Sequence, residues 1–509
     1  MIDQRKCIGC HACTVACKEE NRVPLGAFRT WVKYVERGSF PETRRHFAVL
    51  RCNHCDNAPC VTICPTVALY RRPDGIVDLD GARCIGCKSC MHACPYDALY
   101  IDPASHTAAK CHYCAHRVEM GLEPACVIVC PEQAIIAGDL DDPTTTIARL
   151  VASEPVQVRK PEQRTRPKVF YVGADTAALT PRLQQPAASY MWGERPAAEL
   201  DLVRMVASAP MTDVDGPRSR PVYDAPHAPR PWGARVSAYL WTKSIAAGVV
   251  LVASLAAASG ALRGAAVADP LVMVVAPLVS VVFLLLTTAL LVLDLKRPDR
   301  FHYILLKPNR RSWLVWGAWI LLAFGAAGGV WLAAGLLHLP TVVSAVTVPA
   351  SLLALGAAGY SAFLFGQAEG RDFWQSSLLL PHLIAAALVA GAATLIVVDA
   401  AWSPWADLCR AVLAVGLVMH GALVGVEVLR RHRDHDAARA ARLLTRGGYA
   451  RRLWVGVALV GTAAPLALLV VGTASPSATL DVVAAILALA GLWLWEDLWV
   501  KAGQSVPLS

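Results

Sequence analysis

The chain has 509 residues, 55% of them hydrophobic and 17% charged, with a formal net charge of +9 and 17 cysteines. The hydrophobicity is uneven, since residues 1–232 are mixed and charged while long apolar runs dominate from about Ala234 onward, which argues against one soluble domain. Most of the positive excess sits between those runs, where it reads as membrane topology and not as a nucleic-acid footprint, and the tight CxxC grouping argues against a secreted disulfide framework.

The chain opens MIDQRKCIGCHACTVAC. The six residues before Cys7 hold no apolar core, cleavage site or twin-arginine pair, so no export leader is expected there. All cysteines except Cys409 fall between positions 7 and 130, in four groups. Cys7, Cys10, Cys13 and Cys17 form CxxCxxCxxxC, and Cys52, Cys55, Cys60 and Cys64 lie in CNHCDNAPCVTICP. Cys84, Cys87, Cys90 and Cys94 lie in CIGCKSCMHACP, and Cys111, Cys114, Cys126 and Cys130 in CHYC, an eleven-residue insertion, then CVIVCP. The third group is the bacterial ferredoxin run C-x2-C-x2-C-x3-C-P, in which three thiolates on one loop grip a 4Fe-4S cube and the fourth reaches a neighbouring cube. Zinc sites of four thiolates normally want two separated CxxC pairs, so iron–sulfur ligation is the better reading. CIGCHACTVAC matches CIGCKSCMHAC, and CNHC…APCVTICP matches CHYC…PACVIVCP. The N-terminal part therefore reads as a duplicated two-cluster ferredoxin, an α+β iron–sulfur domain carrying four cubes.

On these motifs residues 1–170 resemble the four-cluster electron-transfer subunits of the molybdopterin oxidoreductase superfamily, which serve dimethyl sulfoxide, polysulfide and nitrite reductases. The resemblance implies that the first group pairs with the fourth and the second with the third. One cube would then take Cys7, Cys10, Cys13 and Cys130, and another Cys17, Cys111, Cys114 and Cys126. The remaining two would take Cys52, Cys55, Cys60 with Cys94, and Cys84, Cys87, Cys90 with Cys64. Lys18, and not proline, follows Cys17, a departure that leaves ligation intact.

Residues 171–234 read as a proline-rich strap or linker. Pro210, Pro217, Pro221, Pro226, Pro229 and Pro231 forbid a continuous helix, while Tyr190, Met191 and Trp192 suggest some packing. Residues 235–509 then read as an all-α bundle of eight transmembrane helices. Apolar runs fall near 236–260, 268–294, 312–337, 343–366, 376–399, 405–429, 453–474 and 479–500, each long enough to cross a hydrocarbon core of roughly 30 Å. An even number of spans puts both termini and the even-numbered connections on one side. That side carries Lys296, Arg297, Arg300, Lys307, Arg310 and Arg311 after the second span, and Arg430, Arg431, Arg433, Arg439, Arg442, Arg446, Arg451 and Arg452 after the sixth. The other side shows Arg263 and Arg410. By the positive-inside rule, the expectation is a multi-pass protein of the cytoplasmic (inner) membrane with its iron–sulfur domain facing the cytoplasm.

LDLKRPDRFHYILLKPNRRSWLVWGAW (293–319), YSAFLFGQAEGRDFW (360–374) and the terminal KAGQSVPLS (501–509) resemble the signature of NrfD-type, polysulfide-reductase-type quinone subunits. The resemblance implies electron exchange between a quinone pool (menaquinone or ubiquinone) and the iron–sulfur unit. It further implies a molybdopterin-containing catalytic partner docked on the ferredoxin face. The cytoplasmic orientation departs from most members and resembles that of membrane-bound sulfite dehydrogenases, and the fusion of two usually separate subunits is a further departure. Polar residues within spans are functional suspects by default. On the appropriate helix ends these are Tyr239, Lys243, Asp294, Tyr360, Gln367, His382 and Glu427. The resemblance puts Tyr360 at a quinone pocket, and His382 is a plausible proton donor because imidazole titrates near neutral pH. Glu496 and Asp497 are adjacent, so on a helix they should point to different places. No nucleophile motif or nucleotide loop suggests chemistry on a small substrate. The alternative expectation is a redox-driven proton-translocating module of a respiratory complex, using buried groups such as Glu427, Glu496 and His420.

Overall fold

A computed structural model describes residues 1–38, 40–184, 189–190, 193–194, 219–225, 231–262, 269–400 and 404–509. Of the residues singled out above, Met191, Trp192, Pro210, Pro217, Pro226, Pro229 and Arg263 lie outside the described residues.

The N-terminal part consists of short helices, each following a cysteine loop, and small antiparallel pairs. The helices Ala12–Glu20, Pro59–Ile63, Ser89–Ala93 and Ala125–Ile128 each carry a cysteine inward. Hairpins Leu69–Arg71/Val77–Leu79 and Leu99–Ile101/Ala108–Lys110 flank the second and third groups. A longer pair, Thr30–Arg37 with Arg44–Arg51, buries Trp31, Val35, Ala48 and Leu50. The strap returns to this sheet, because Ser219–Tyr223 pairs antiparallel with Thr30–Arg37 as a third strand. The chain start is also tied down, Ile2–Asp3 running parallel to Tyr171–Val172.

The backbone repeats as the sequence does. Gly9 and Gly86, in the two CIGC loops, both adopt positive φ (71° and 68°), as do His11 and Lys88 two residues on (61° and 66°). His54 and Tyr113, each preceding the second cysteine of its CxxC, do the same (43° and 60°). Left-handed turns at matching places curl each loop around one centre.

Among the described residues, eight helices are long and apolar enough to cross a membrane: Ala234–Gly260, Leu271–Asp294, Trp313–Leu336, Pro340–Gly366, Leu379–Val398, Ala406–Leu429, Arg452–Ala474 and Ala478–Gln504. The first and fifth form the centre, with 83% and 72% of their apolar windows buried against 28–44% in the other six. Gly248 of the first span meets Ala387 and Gly391 of the fifth, small residues that permit the close backbone approach by which helices associate in lipid.

The iron–sulfur part sits on the end of the bundle that carries the even-numbered connections. The connection 295–312 clamps it through the main chain. The backbone N–H groups of Lys296 and Arg297 donate to Gly86 O (3.2 Å) and Ile85 O (3.1 Å), and that of Asn309 donates to Pro65 O (2.8 Å). Side chains add Asn309 Nδ2 to Cys64 O (2.8 Å), Ser312 Oγ to Ile63 O (2.7 Å) and Arg300 Nη1 to Gly81 O (2.7 Å). A Cβ placed on Gly86 would lie 2.6 Å from Lys296 Cβ and 2.9 Å from His106 O, so a glycine there permits this close approach. From the far side, Arg371 Nε donates to His92 Nδ1 (3.4 Å) and Gln163 Nε2 donates to Asp372 Oδ1 (2.9 Å).

Candidate functional site

Sixteen cysteines lie outside the bundle, and twelve of them are buried. Their neighbours fall into four sets. Cys7 neighbours Cys10 and Cys130, and Cys13 neighbours Cys7 (set 1). Cys17 neighbours Cys111, Cys114 and Cys126 (set 2). Cys55 and Cys60 both neighbour Cys52 and Cys94 (set 3). Cys90 neighbours Cys84, Cys87 and Cys64 (set 4). The sets are also ordered: Cys13 neighbours Cys126 of set 2, Cys52 neighbours Cys111 of set 2, and Cys90 neighbours Cys60 of set 3. These influences fit an order 1–2–3–4, with the Cys13 thiol feeling Cys126 more strongly than Cys7.

The surroundings suit thiolate ligands. The backbone N–H of Leu69 points at Cys64 Sγ (3.4 Å), those of Gly86 and Ala108 at Cys84 Sγ (both 3.4 Å), and that of Ala134 at Cys130 Sγ (3.2 Å). The buried guanidinium of Arg51 donates to Cys126 Sγ (2.8 Å). Burial pushes the Cys13, Cys55 and Cys87 thiols up to about 12, so they become thiolates by binding a metal and not by titration. A cavity bounded by the four thiols of set 2 and by Arg51 leaves room among them. These residues fit an iron–sulfur group, which when bound accepts and donates single electrons.

The row has two different ends. At set 1, Cys10 alone among the sixteen is exposed, with exposed Ile8 (56%) and Val15 (64%) on the same segment and exposed Ile128 (54%) on the short helix packed against Ala12–Glu20. At set 4 the row meets the bundle. Cys87 and the buried Trp232, whose Nε1 donates to Cys87 O (3.1 Å), form one wall of an apolar cavity of about 500 Å³ between the second and third spans. That volume lies in the range of small-molecule sites, roughly 300–1,000 Å³. Exposed Leu285, Leu305 and Leu322 stand at its rim on the bundle's outer face. Its polar groups are Tyr239, Tyr360, Asp294, Thr288 and Ser89.

Three of the seven sequence-predicted quinone candidates line this cavity: Tyr239, Tyr360 and Asp294. Tyr360 is held by packing, its ring filling the place of a side chain at Gly317, where an added Cβ would overlap Tyr360 Cε2. Lys243 lies one layer behind, its Nζ donating to Ala358 O (2.8 Å) and Ser361 Oγ (2.9 Å) and sitting 4.9 Å from the Tyr360 ring centroid. The other three are elsewhere. Gln367 joins two spans, accepting from Trp313 N (2.8 Å) and donating to Arg311 O (2.6 Å). Glu427 accepts from Ser376 Oγ (2.5 Å) and Arg430 Nη2 (3.1 Å). His382 packs on His420 and Trp495, with centroids at 4.6 and 5.3 Å. Glu496 is buried facing Lys243, whereas Asp497 turns away to Lys501 (2.5 Å).

Sequence reasoning passed over Lys88, Ser361, Gly317 and Trp232. Lys88 had a signal, since it stands in CIGCKSC where the matching first loop has His11. The others depend on which helices meet, and no local pattern marks them.

Comparison with known proteins bears on both parts. The profile of the "Polysulphide reductase, NrfD" family matches residues 225–507. Those of a "4Fe-4S dicluster domain" and a "4Fe-4S binding domain" match residues 44–140 and 5–21. Among curated relatives, a tetrathionate reductase subunit of Salmonella typhimurium is 48% identical over 200 residues, 38% of this chain and 79% of that protein. The protein NrfC of Escherichia coli is 42% identical over 173 residues, 33% and 78% respectively. The thiosulfate reductase electron transfer subunit PhsB of Salmonella typhi is 46% identical over 166 residues, 32% and 85%.

Proposed function

This protein belongs to the NrfD polysulphide-reductase family, with a 4Fe-4S electron-transfer unit of the kind found in reductase complexes fused ahead of the multi-pass membrane part, and from this premise we propose that it joins a catalytic partner to the quinone pool. In this reading the three units 1–170, 171–234 and 235–509 hold four 4Fe-4S clusters, the connecting strap and the quinone site. The observation that carries it is the row of thiol sets, which begins at exposed Cys10 and ends at Cys87 in the wall of the apolar cavity.

The residues along this route then have distinct roles. Ile8, Val15 and Ile128 form an apolar rim around set 1 where a molybdopterin-containing catalytic subunit would dock. Tyr239 and Tyr360 offer hydroxyls to the oxygen atoms of the quinone ring, and the leucines at the cavity rim admit its tail from the bilayer. Each quinol that gives up two electrons also releases two protons. Ser361 and Lys243, hydrogen-bonded together behind Tyr360, offer those protons a first place to go. Arg51 and Lys110, both buried along the row, offset the negative charge that each transferred electron brings.

The orientation proposed is with the iron–sulfur unit in the cytoplasm of a bacterial-type inner membrane. Its firmest support is the arginine-rich connection after the sixth span. Arg297 and Arg300 count for less, since their side chains donate to Ser105 O (3.4 Å) and Gly81 O (2.7 Å) of the iron–sulfur unit and so serve docking. Likeness to sulfite dehydrogenases in particular rests on this orientation alone. A cysteine introduced at exposed Arg433 in that connection (Arg433→Cys) tests it in right-side-out vesicles, reaction with an impermeant maleimide overturning the orientation.

The test of the function is to purify the full chain anaerobically, reduce it with dithionite and mix it with a quinone analogue. Reoxidation that is lost in Gly317→Leu, which fills the space of the Tyr360 ring, supports the reading; reoxidation unchanged in that variant overturns it. A second reading, proton translocation, is favoured by one observation: Glu496 is buried beside Lys243 with its Oε1 lacking a hydrogen-bond partner among the described residues. Protons moved per electron in liposomes distinguish the two.

A further inference from the structure

Lys88 is part of the ligand loop of set 4, directly after Cys87, and it is only 6% exposed. Its ammonium does not face the solvent or another loop of the iron–sulfur unit. It forms an ion pair with Asp294 at 2.8 Å, the two side chains being 7% and 17% exposed. Asp294 is the last residue of the second span and lines the apolar cavity together with Cys87. One ion pair thus bridges the terminal thiol set and the quinone cavity.

The matching loop at the other end of the row supplies an internal control. There His11 occupies the place of Lys88, and its ring packs tilted against Tyr34 and edge-on against Tyr223 (centroids at 5.3 and 4.8 Å) with no such carboxylate opposite among the described residues. The cation is therefore not required by the loop's conformation, which is left-handed in both (61° and 66°). It is present only where the loop meets the membrane part.

A buried positive charge beside a redox group favours the reduced form, which is one charge more negative, and the effect is strong where solvent is excluded. A carboxylate 2.8 Å away cancels most of it. Arg235 and Lys296 also act on Asp294 but are exposed, so solvent screens them. Resting on the quinone reading above, we propose that the Lys88–Asp294 pair is a latch that reports occupancy of the cavity to the terminal cluster. A quinol hydroxyl in the cavity donates a hydrogen bond to Asp294, which loosens its hold on Lys88. The unshielded ammonium then raises the potential of the adjacent cluster, so that a bound quinol meets a better electron acceptor than an empty cavity presents. In the step itself the quinol loses one electron to the cluster and one proton to the surrounding side chains, and no other reactant is needed.

The proposal predicts shifts of opposite sign. In redox titrations of the full chain followed by EPR, Lys88→Met should lower the midpoint of one cluster. Asp294→Asn should raise it, each by about tenfold in the reduced-to-oxidised ratio at fixed potential, or about 59 mV for one electron. Lys88→Arg, which keeps the charge, should hold it near the original value. A hydroxylated quinone-analogue inhibitor should raise the same midpoint in the original protein and leave it unchanged in Asp294→Asn. Variants are compared at equal iron content and spin count. A merely structural pair would move both substitutions in one direction or neither, and either result overturns the latch. If the analogue fails to bind even the original protein, the quinone reading itself fails, while opposite shifts in the two substitutions would still establish the electrostatic arm.

Discussion

The two CIGC loops of the iron–sulfur part share their spacing but not their surroundings. In the first, Ile8 is 56% exposed and Cys10 is open to solvent. In the second, Ile85 is 1% exposed, Gly86 is pressed against Lys296 and Lys88 is paired with a residue of the second span. Ligand spacing fixes what such a loop holds. In the function proposed above, what packs on it decides whether that end of the row meets a soluble partner or a lipid-soluble one.

The sharpest way to break this comparison is to remove a ligand at each end. Cys87→Ala should abolish electron exchange with quinone analogues while leaving exchange with a soluble donor at set 1. Cys10→Ala should do the reverse, both read by stopped-flow absorbance and EPR spin count. If Cys10→Ala silences the quinone step and Cys87→Ala does not, the ends are interchanged. The next effect is on stability. Ile85→Ala removes a fully buried side chain at the clamp and should cost about 2–5 kcal/mol, whereas Ile8→Ala should stay within about 0.5 kcal/mol, measured by thermal denaturation of the detergent-solubilised chain. Within the cavity, Gly317→Ala puts a Cβ where the Tyr360 ring lies; kcat/KM for quinol should fall about tenfold, or about 1.4 kcal/mol. Tyr360→Phe should have the smallest effect, loss of one hydrogen bond worth about 1 kcal/mol, seen mainly in KM if the bond serves binding and mainly in kcat if it forms as charge develops.

The fold class was legible because its signals are local. CxxC spacing is a short-range pattern, and the matching backbone turns at Gly9 and Gly86 show that the repeated letters repeat a shape. Runs of more than 20 apolar residues mark spans without reference to their neighbours. The cavity was only partly legible. Tyr239, Tyr360 and Asp294 were named from helix ends and motifs, and they do line one cavity. His382, Gln367 and Glu427 satisfy the same criterion of a polar group in a span, yet they cap helices or pack on other rings. A span is apolar around its whole circumference, so its sequence does not tell which face meets which partner, and a polar residue on it points to a site or to a neighbour with equal ease. The connection 295–312 misleads in a related way. Its cations read as topology signals, yet its backbone and Arg300 grip the loops of set 4.

The most direct test of the central claim follows the row from one end to the other. The anaerobic full chain, reduced by dithionite, is mixed rapidly with a quinone analogue while EPR counts the reduced clusters. The account predicts that four 4Fe-4S signals are present and that all are reoxidised through the cavity, so that filling it by Gly317→Leu leaves them reduced. Fewer than four signals, or reoxidation as fast in the filled cavity as in the open one, would contradict it.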